Sequence, residues 1–132
     1  MVAGSLANST TGRIEANRDL AAVTTGAIAN AGIVAANGAV GLEADTTLTN
    51  TKGTVLSGGA MTLEAGTAVT NEAGTIQSGG DMAVLAGTRI DNKRGPISGG
   101  TQQSESTGAA TLSSGGNMLL QAPVVRNEAS LL

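Results

Sequence analysis

Residues 50–70, NTKGTVLSGGAMTLEAGTAVT, and residues 71–91, NEAGTIQSGGDMAVLAGTRID, can be laid over each other position by position. Each opens on asparagine, continues as Asn-x-x-Gly-x-Val/Ile-x-Ser-Gly-Gly, and closes on a branched apolar residue just ahead of the next asparagine. Working outward, that closing phrase (branched apolar residue, any residue, asparagine) occurs six times. It reads Leu6-Ala7-Asn8, Ile28-Ala29-Asn30, Leu48-Thr49-Asn50, Val69-Thr70-Asn71, Ile90-Asp91-Asn92 and Val125-Arg126-Asn127. The asparagines stand 22, 20, 21, 21 and 35 residues apart, the last interval being one 21-residue period plus 14. A fixed period of about 20 to 50 residues is the mark of a solenoid, whose repeats bury their apolar faces only by stacking.

Within each repeat, apolar and polar residues alternate with period two between glycine-bearing corners, the pattern of short half-buried strands. Met61, Leu63 and Ala65 face inward, while Thr62 and Glu64 face out. The same column runs back to Val40, Leu42 and Ala44 and forward through Met82, Val84 and Ala86 to Met118, Leu120 and Ala122. A second column takes Ile14, Ile33, Val55, Ile76 and either Ile97 or Leu112, and a third takes Leu6, Ile28, Leu48, Val69, Ile90 and Val125. Three apolar columns predict an all-β, three-sided tube: a parallel β-helix of about six coils of roughly 21 residues, right-handed on crossover grounds. The whole of residues 1–132 reads as a single β-helical repeat segment, an internal piece of a longer fibre. Residues 101–111, polar and without strand pattern, read as a loop extruded from one corner.

Two kinds of corner recur. Gly58-Gly59, Gly79-Gly80, Gly99-Gly100 and Gly115-Gly116 mark one, where positive φ is expected. Asn-x-x-Gly at Asn50/Gly53, Asn71/Gly74 and Asn92/Gly95 marks another. There the stacked asparagines form an amide ladder, or each simply tolerates a left-handed turn.

Composition narrows the function. The chain has 20 glycines but no aromatic residue, cysteine or histidine, and carries a net charge of −3. No basic stripe tracks a phosphate backbone and no aromatic platform stacks bases, which argues against nucleic-acid binding. No apolar run is long enough for a membrane-spanning helix, so membrane insertion is not expected. Without His, Cys or Tyr the usual nucleophile–base pairs cannot be built. No catalytic, cofactor-binding or metal-binding residue is therefore assigned, and no cofactor is expected.

Carboxylates are what remains. Glu43 and Glu64 share one position in successive coils with Asp45 nearby, an arrangement that suits a hard cation or two solvated side chains on an outer face. Lys52, Glu72 and Lys93-Arg94 fall at one corner of three coils and read as an exposed ladder of alternating charge. Thr49 and Thr70 align as an ice-binding array requires, but Ala29, Asp91 and Arg126 interrupt them. A β-helical carbohydrate-active enzyme is the other alternative, and it lacks the aromatic sugar platforms such clefts use.

The combined phrase Asn-x-x-Gly-x-Ile/Val-x-Ser-Gly-Gly-x-Met/Leu-x-Leu/Val-x-Ala resembles the filamentous-haemagglutinin-type repeats of large bacterial exoproteins. The resemblance runs from Leu6 to about Asn127 and is strongest over Leu48 to Gly100. It implies a right-handed parallel β-helix in a fibre at the cell surface, exported by two-partner secretion, in an adhesin or the stalk of a contact-dependent growth-inhibition toxin. The partners it implies are neighbouring coils of the same long chain, an outer-membrane transporter during export, and a receptor on a host or target cell. The implied role is structural and adhesive rather than enzymatic.

Overall fold

The computed structural model describes residues 2–93 and 111–128. Among these residues strand follows strand, no helix forms, and so none is long and apolar enough to cross a membrane. Three parallel sheets result. The first contains β1 (Val2–Ala3), β4 (Leu20–Thr24), β7 (Val40–Ala44), β10 (Met61–Ala65), β13 (Met82–Ala86) and β16 (Met118–Gln121). The second contains β2 (Leu6–Asn8), β5 (Ile28–Asn30), β8 (Thr47–Thr51), β11 (Ala68–Glu72), β14 (Arg89–Lys93) and β17 (Val124–Glu128). The third contains β3 (Arg13–Ala16), β6 (Ile33–Ala36), β9 (Thr54–Ser57), β12 (Thr75–Ser78) and β15 (Thr111–Ser114). Each strand from β1 to β14 pairs with the third strand after it in the chain, which is the connectivity of a parallel β-helix. Among the described residues five coils carry all three faces and a sixth carries two, slightly short of the count of about six that was expected.

Stacking puts like residues over like. Val40, Met61, Met82 and Met118 form one inward column, and Leu42, Leu63, Val84 and Leu120 form the next. Leu20 and Ala22 extend both columns backward. On the second sheet Leu6, Ile28, Leu48, Val69, Ile90 and Val125 lie in register, as the closing phrase predicted. Leu63, Val84, Val55 and Ile76 are 0% exposed, whereas Val125, covered by no further described coil, is 42% exposed.

On the third sheet the expected column needs one correction. Ile14 lies opposite Val34, not Ile33, and the column runs Ile14, Val34, Val55, Ile76, Leu112. Leu112 thus occupies the place left open between it and Ile97, which lies outside the described residues. The reason is a corner of variable length. From asparagine to the following glycine the chain takes 4 residues at Asn8–Gly12, 2 at Asn30–Gly32, and 3 at Asn50–Gly53 and Asn71–Gly74. From that glycine to the next asparagine (Gly12 to Asn30, Gly32 to Asn50, Gly53 to Asn71, Gly74 to Asn92) the count is 18 every time. The irregular spacings of 22 and 20 are therefore confined to one corner, and the inward residue is found by counting two from the glycine. Of the loop expected at 101–111, residues 101–110 lie outside the described set, while Thr111 opens β15 opposite Thr75.

Positive φ is not what the described glycine pairs supply, Gly99-Gly100 lying outside the described residues. None of the described glycines occupies the left-handed region, which is instead taken by Lys52 (φ 57°) and Ala73 (φ 55°) at the asparagine corner. At the glycine-pair corner the constraint is steric: a Cβ on Gly58 would collide with the Asn37 carbonyl oxygen, and one on Gly79 with that of Gly58. Coils stacked one strand spacing apart leave no room there.

Leu63→Ala should lower unfolding free energy by about 2–5 kcal/mol, whereas Thr62→Ala, on the outer face of the same strand, should change it by no more than about 0.5 kcal/mol. Urea titration followed by circular dichroism reads both, and equal losses would refute the inward assignment. Gly41 offers a second contrast, since nothing lies within 4 Å of a Cβ built there. Gly41→Ala should stabilise by about 0.4–1 kcal/mol, while Gly79→Ala should destabilise by more than that.

Candidate functional site

Among the described residues, the corner between the second and third sheets holds the most extensive polar construction. Its asparagines end the strands of the second sheet with side chains turned inward, and five of the six are buried: Asn8, Asn30, Asn50, Asn71 and Asn92 are 8%, 3%, 0%, 1% and 0% exposed. Each Nδ2 donates to the Oδ1 of the next coil. The distances are 2.8 Å for Asn8 to Asn30, 2.8 Å for Asn30 to Asn50, 2.9 Å for Asn50 to Asn71, 2.9 Å for Asn71 to Asn92 and 2.8 Å for Asn92 to Asn127. The amide ladder, left open against a plain turn, is thus continuous through all six coils.

In Asn8, Asn30, Asn50 and Asn71 the second hydrogen of Nδ2 holds the corner itself. It reaches the carbonyl oxygen of the glycine that follows: Gly12 at 3.3 Å, Gly32 at 3.1 Å, Gly53 at 3.0 Å and Gly74 at 3.0 Å. Further carbonyls one coil on, those of Ile33, Thr54 and Thr75, lie at 3.0, 3.1 and 3.2 Å. The glycine is required because the amides fill the space beside it. A Cβ on Gly74 would lie 2.5 Å from Asn50 Nδ2 and 2.8 Å from Asn71 Oδ1.

The glycine-pair corner has a smaller device that the sequence reading did not single out. Ser57, Ser78 and Ser114 stack in one inward column and donate Oγ–H to the carbonyls of Gly59, Gly80 and Gly116 at 2.9, 2.9 and 3.0 Å. The available signal was the constant serine ahead of each glycine pair. An inward hydroxyl this close to a turn finds a local carbonyl.

The outer faces are less regular. Glu43 and Glu64 do lie opposite each other, with Val23 before them and Leu85 after, and both are exposed. Asp45 is exposed at the following corner, and no group of three or more His, Cys, Asp or Glu side chains converges among the described residues. The charge ladder is corrected to a single pair. Lys93 Nζ stands 3.7 Å from Glu72 Oε2, but Glu72 lies opposite Thr51, not Lys52, because Lys52 is one residue further round the corner. Arg94 lies outside the described residues. The threonine column runs Ala7, Ala29, Thr49, Thr70, Asp91, Arg126. Asp91 ends the hydroxyl run with a carboxylate 8% exposed, whose Oδ2 accepts from Arg89 Nε at 2.8 Å.

The family described as haemagglutinin repeat matches residues 2–122. The chain belongs to that family. Searches of curated proteins and of solved structures return no match.

Asn71→Ala removes the middle of the ladder and leaves the Asn50 donor and the Asn92 acceptor buried without these partners. It should cost about 2–5 kcal/mol by denaturant titration, more than Asn8→Ala at the first rung. Asn71→Asp should make stability depend on pH. Its carboxylate can accept from Asn50 but can donate to Asn92 only when protonated, so folding raises its pKa above the unfolded value. The variant should then be most stable in acid and lose stability as pH rises. A flat profile from pH 3 to 8 would contradict the ladder.

Proposed function

We propose that this segment is a structural and adhesive stalk module of a secreted bacterial surface exoprotein, built to give reach and rigidity and to display or extend a distal functional region. The observation that carries this reading is the unbroken asparagine ladder. It makes each coil-to-coil junction chemically alike, so stability accumulates from nearest-neighbour interfaces and length is set by coil number. Membership of the haemagglutinin repeat family supports a secreted, surface-exposed stalk or adhesin.

The finer assignments belong to the same proposal: export by two-partner secretion through an outer-membrane transporter, service in an adhesin or a contact-dependent inhibition toxin, and a contribution to virulence through contact with a host or target-cell receptor. The segment itself carries no catalytic role on this reading. The outer columns favour neither alternative, since the threonine run is two residues long and the facing carboxylates stand on an exposed strand rather than in a cleft.

Deleting residues 71–91 removes one coil and brings Asn50 opposite Asn92, so the shortened chain should fold and lose about 4.8 Å of length in small-angle scattering. Deleting residues 71–81 alone should prevent folding, because it breaks the register of all three columns. In the protein that carries this segment, removing whole coils should shorten the surface fibre by electron microscopy and leave distal activity intact. Loss of that activity at unchanged surface abundance would overturn the stalk reading.

A further inference from the structure

The outer side of the third sheet carries a groove of about 720 Å³ running along the fibre axis across β3, β6, β9 and β12. Its floor is one outward column, Glu15, Ala35, Leu56 and Gln77, stacked in register. Its side is the adjoining corner, where Asn17 and Asn37 are followed along the axis by Gly58 and Gly79. The hollow has a steric origin. Those glycines are required because a Cβ would collide with the carbonyl of the preceding coil, and the same requirement removes the side chains that would otherwise fill the groove.

Three side-chain amides border it, those of Asn17, Asn37 and Gln77. All three residues are exposed, and their side chains make no hydrogen bond within the described structure. The six ladder asparagines, by contrast, are tied to one another. Leu56, 36% exposed, lies between the amides. The one charged group is Glu15, whose Oε1 already accepts from Arg13 Nη2 at 2.6 Å, and no lysine or arginine lines the groove.

We infer that this groove binds a neutral oligosaccharide. A carboxamide both donates and accepts, as does a sugar hydroxyl, so a row of such amides matches a hydroxyl-rich chain. Leu56 and Ala35 supply an apolar floor for the C–H face of a pyranose ring. An anionic glycan would find no cation among the lining residues, since the nearby Arg13 is already paired with Glu15, and would meet the Glu15 carboxylate. An extended peptide adds to a sheet through a free edge, and β6, β9 and β12 are each paired on both sides. Four coils span roughly 14 Å at about 4.8 Å per coil, the length of a trisaccharide. This site is independent of the stalk reading, since a stalk with an empty groove is still a stalk.

The test is nuclear magnetic resonance titration of the 15N-labelled 132-residue chain with the neutral trisaccharides chitotriose, cellotriose and mannotriose. A sulfated heparin tetrasaccharide and a valine–threonine hexapeptide serve as the other probes. At least one neutral trisaccharide should shift the side-chain amide signals of Asn17, Asn37 and Gln77, with Kd on the order of 1 mM. Asn37→Ala and Gln77→Ala should each weaken binding about 2- to 10-fold and leave the melting temperature unchanged, because neither amide holds the protein together. Leu56→Arg should abolish binding while the chain stays folded. The proposal fails if no neutral trisaccharide moves these signals up to about 10 mM. It fails equally if only the sulfated sugar or the peptide binds, or if neutral binding survives all three substitutions.

Discussion

A carboxamide taken out of water must find partners for two donor hydrogens and one acceptor oxygen, or it costs more than it contributes. In this chain that demand is met by repetition. An asparagine at the end of a strand on the second sheet gives one hydrogen to its own corner and the other to the same asparagine one coil on, while its oxygen accepts from the coil before. Neither neighbour can slip without stranding a buried amide, so the ladder holds the register of all three sheets. The apolar columns need this help, because Leu, Ile, Val and Met are close enough in shape to tolerate exchange. A slip by two residues would keep the same face inward and still bring apolar side chains together in places. It would never rebuild the ladder.

The same constraint explains how the coil absorbs irregularity. The corner from asparagine to glycine varies from 2 to 4 residues, yet the asparagine Nδ2 reaches that glycine's carbonyl at 3.0 to 3.3 Å whichever length is used. The remaining 18 residues keep their count from Gly12 to Asn92. Variation is therefore confined to a bend whose ends are bridged by a hydrogen bond, and the strands beyond it do not shift. Glycine terminates the bend because the stacked amides occupy the volume a side chain would need.

Function follows from what this stacking leaves unassigned. Inward positions and corners are committed to the stack, whereas outward columns change freely from coil to coil: Val23, Glu43, Glu64 and Leu85 on the first sheet, Thr49, Thr70 and Asp91 on the second. A fibre assembled this way can carry different surfaces at different heights without altering its core. The groove on the third sheet is one such local surface. It exists where two glycines of the stack adjoin two exposed asparagines, and it changes character at the next coil, where Ser113 stands opposite Gln77.

Much of the fold was legible in the residues alone. The six Asn-terminated phrases, the period-two alternation and the glycine corners determined an all-β solenoid, its three inward columns and the superposition of Met61 on Met82, because periodicity in a stack translates directly into vertical neighbours. The ladder was legible as one of two options. Deciding between them required knowing that the side chains turn inward, and a left-handed corner residue would have served the other option equally well. The run of apolar residues placed Ile33 inside, and only the stacked structure showed that Val34, two residues past the glycine, holds that place, because the bend before the glycine is elastic. Tertiary structure alone also decided that glycine pairs answer to the carbonyl one coil away rather than to their own φ, that Lys52 and Glu72 stand at different positions of the corner, and that Asn17, Asn37 and Gln77 share a groove. These are relations between residues some 20 positions apart, set by how one coil rests on another, and no local pattern in the chain encodes that distance.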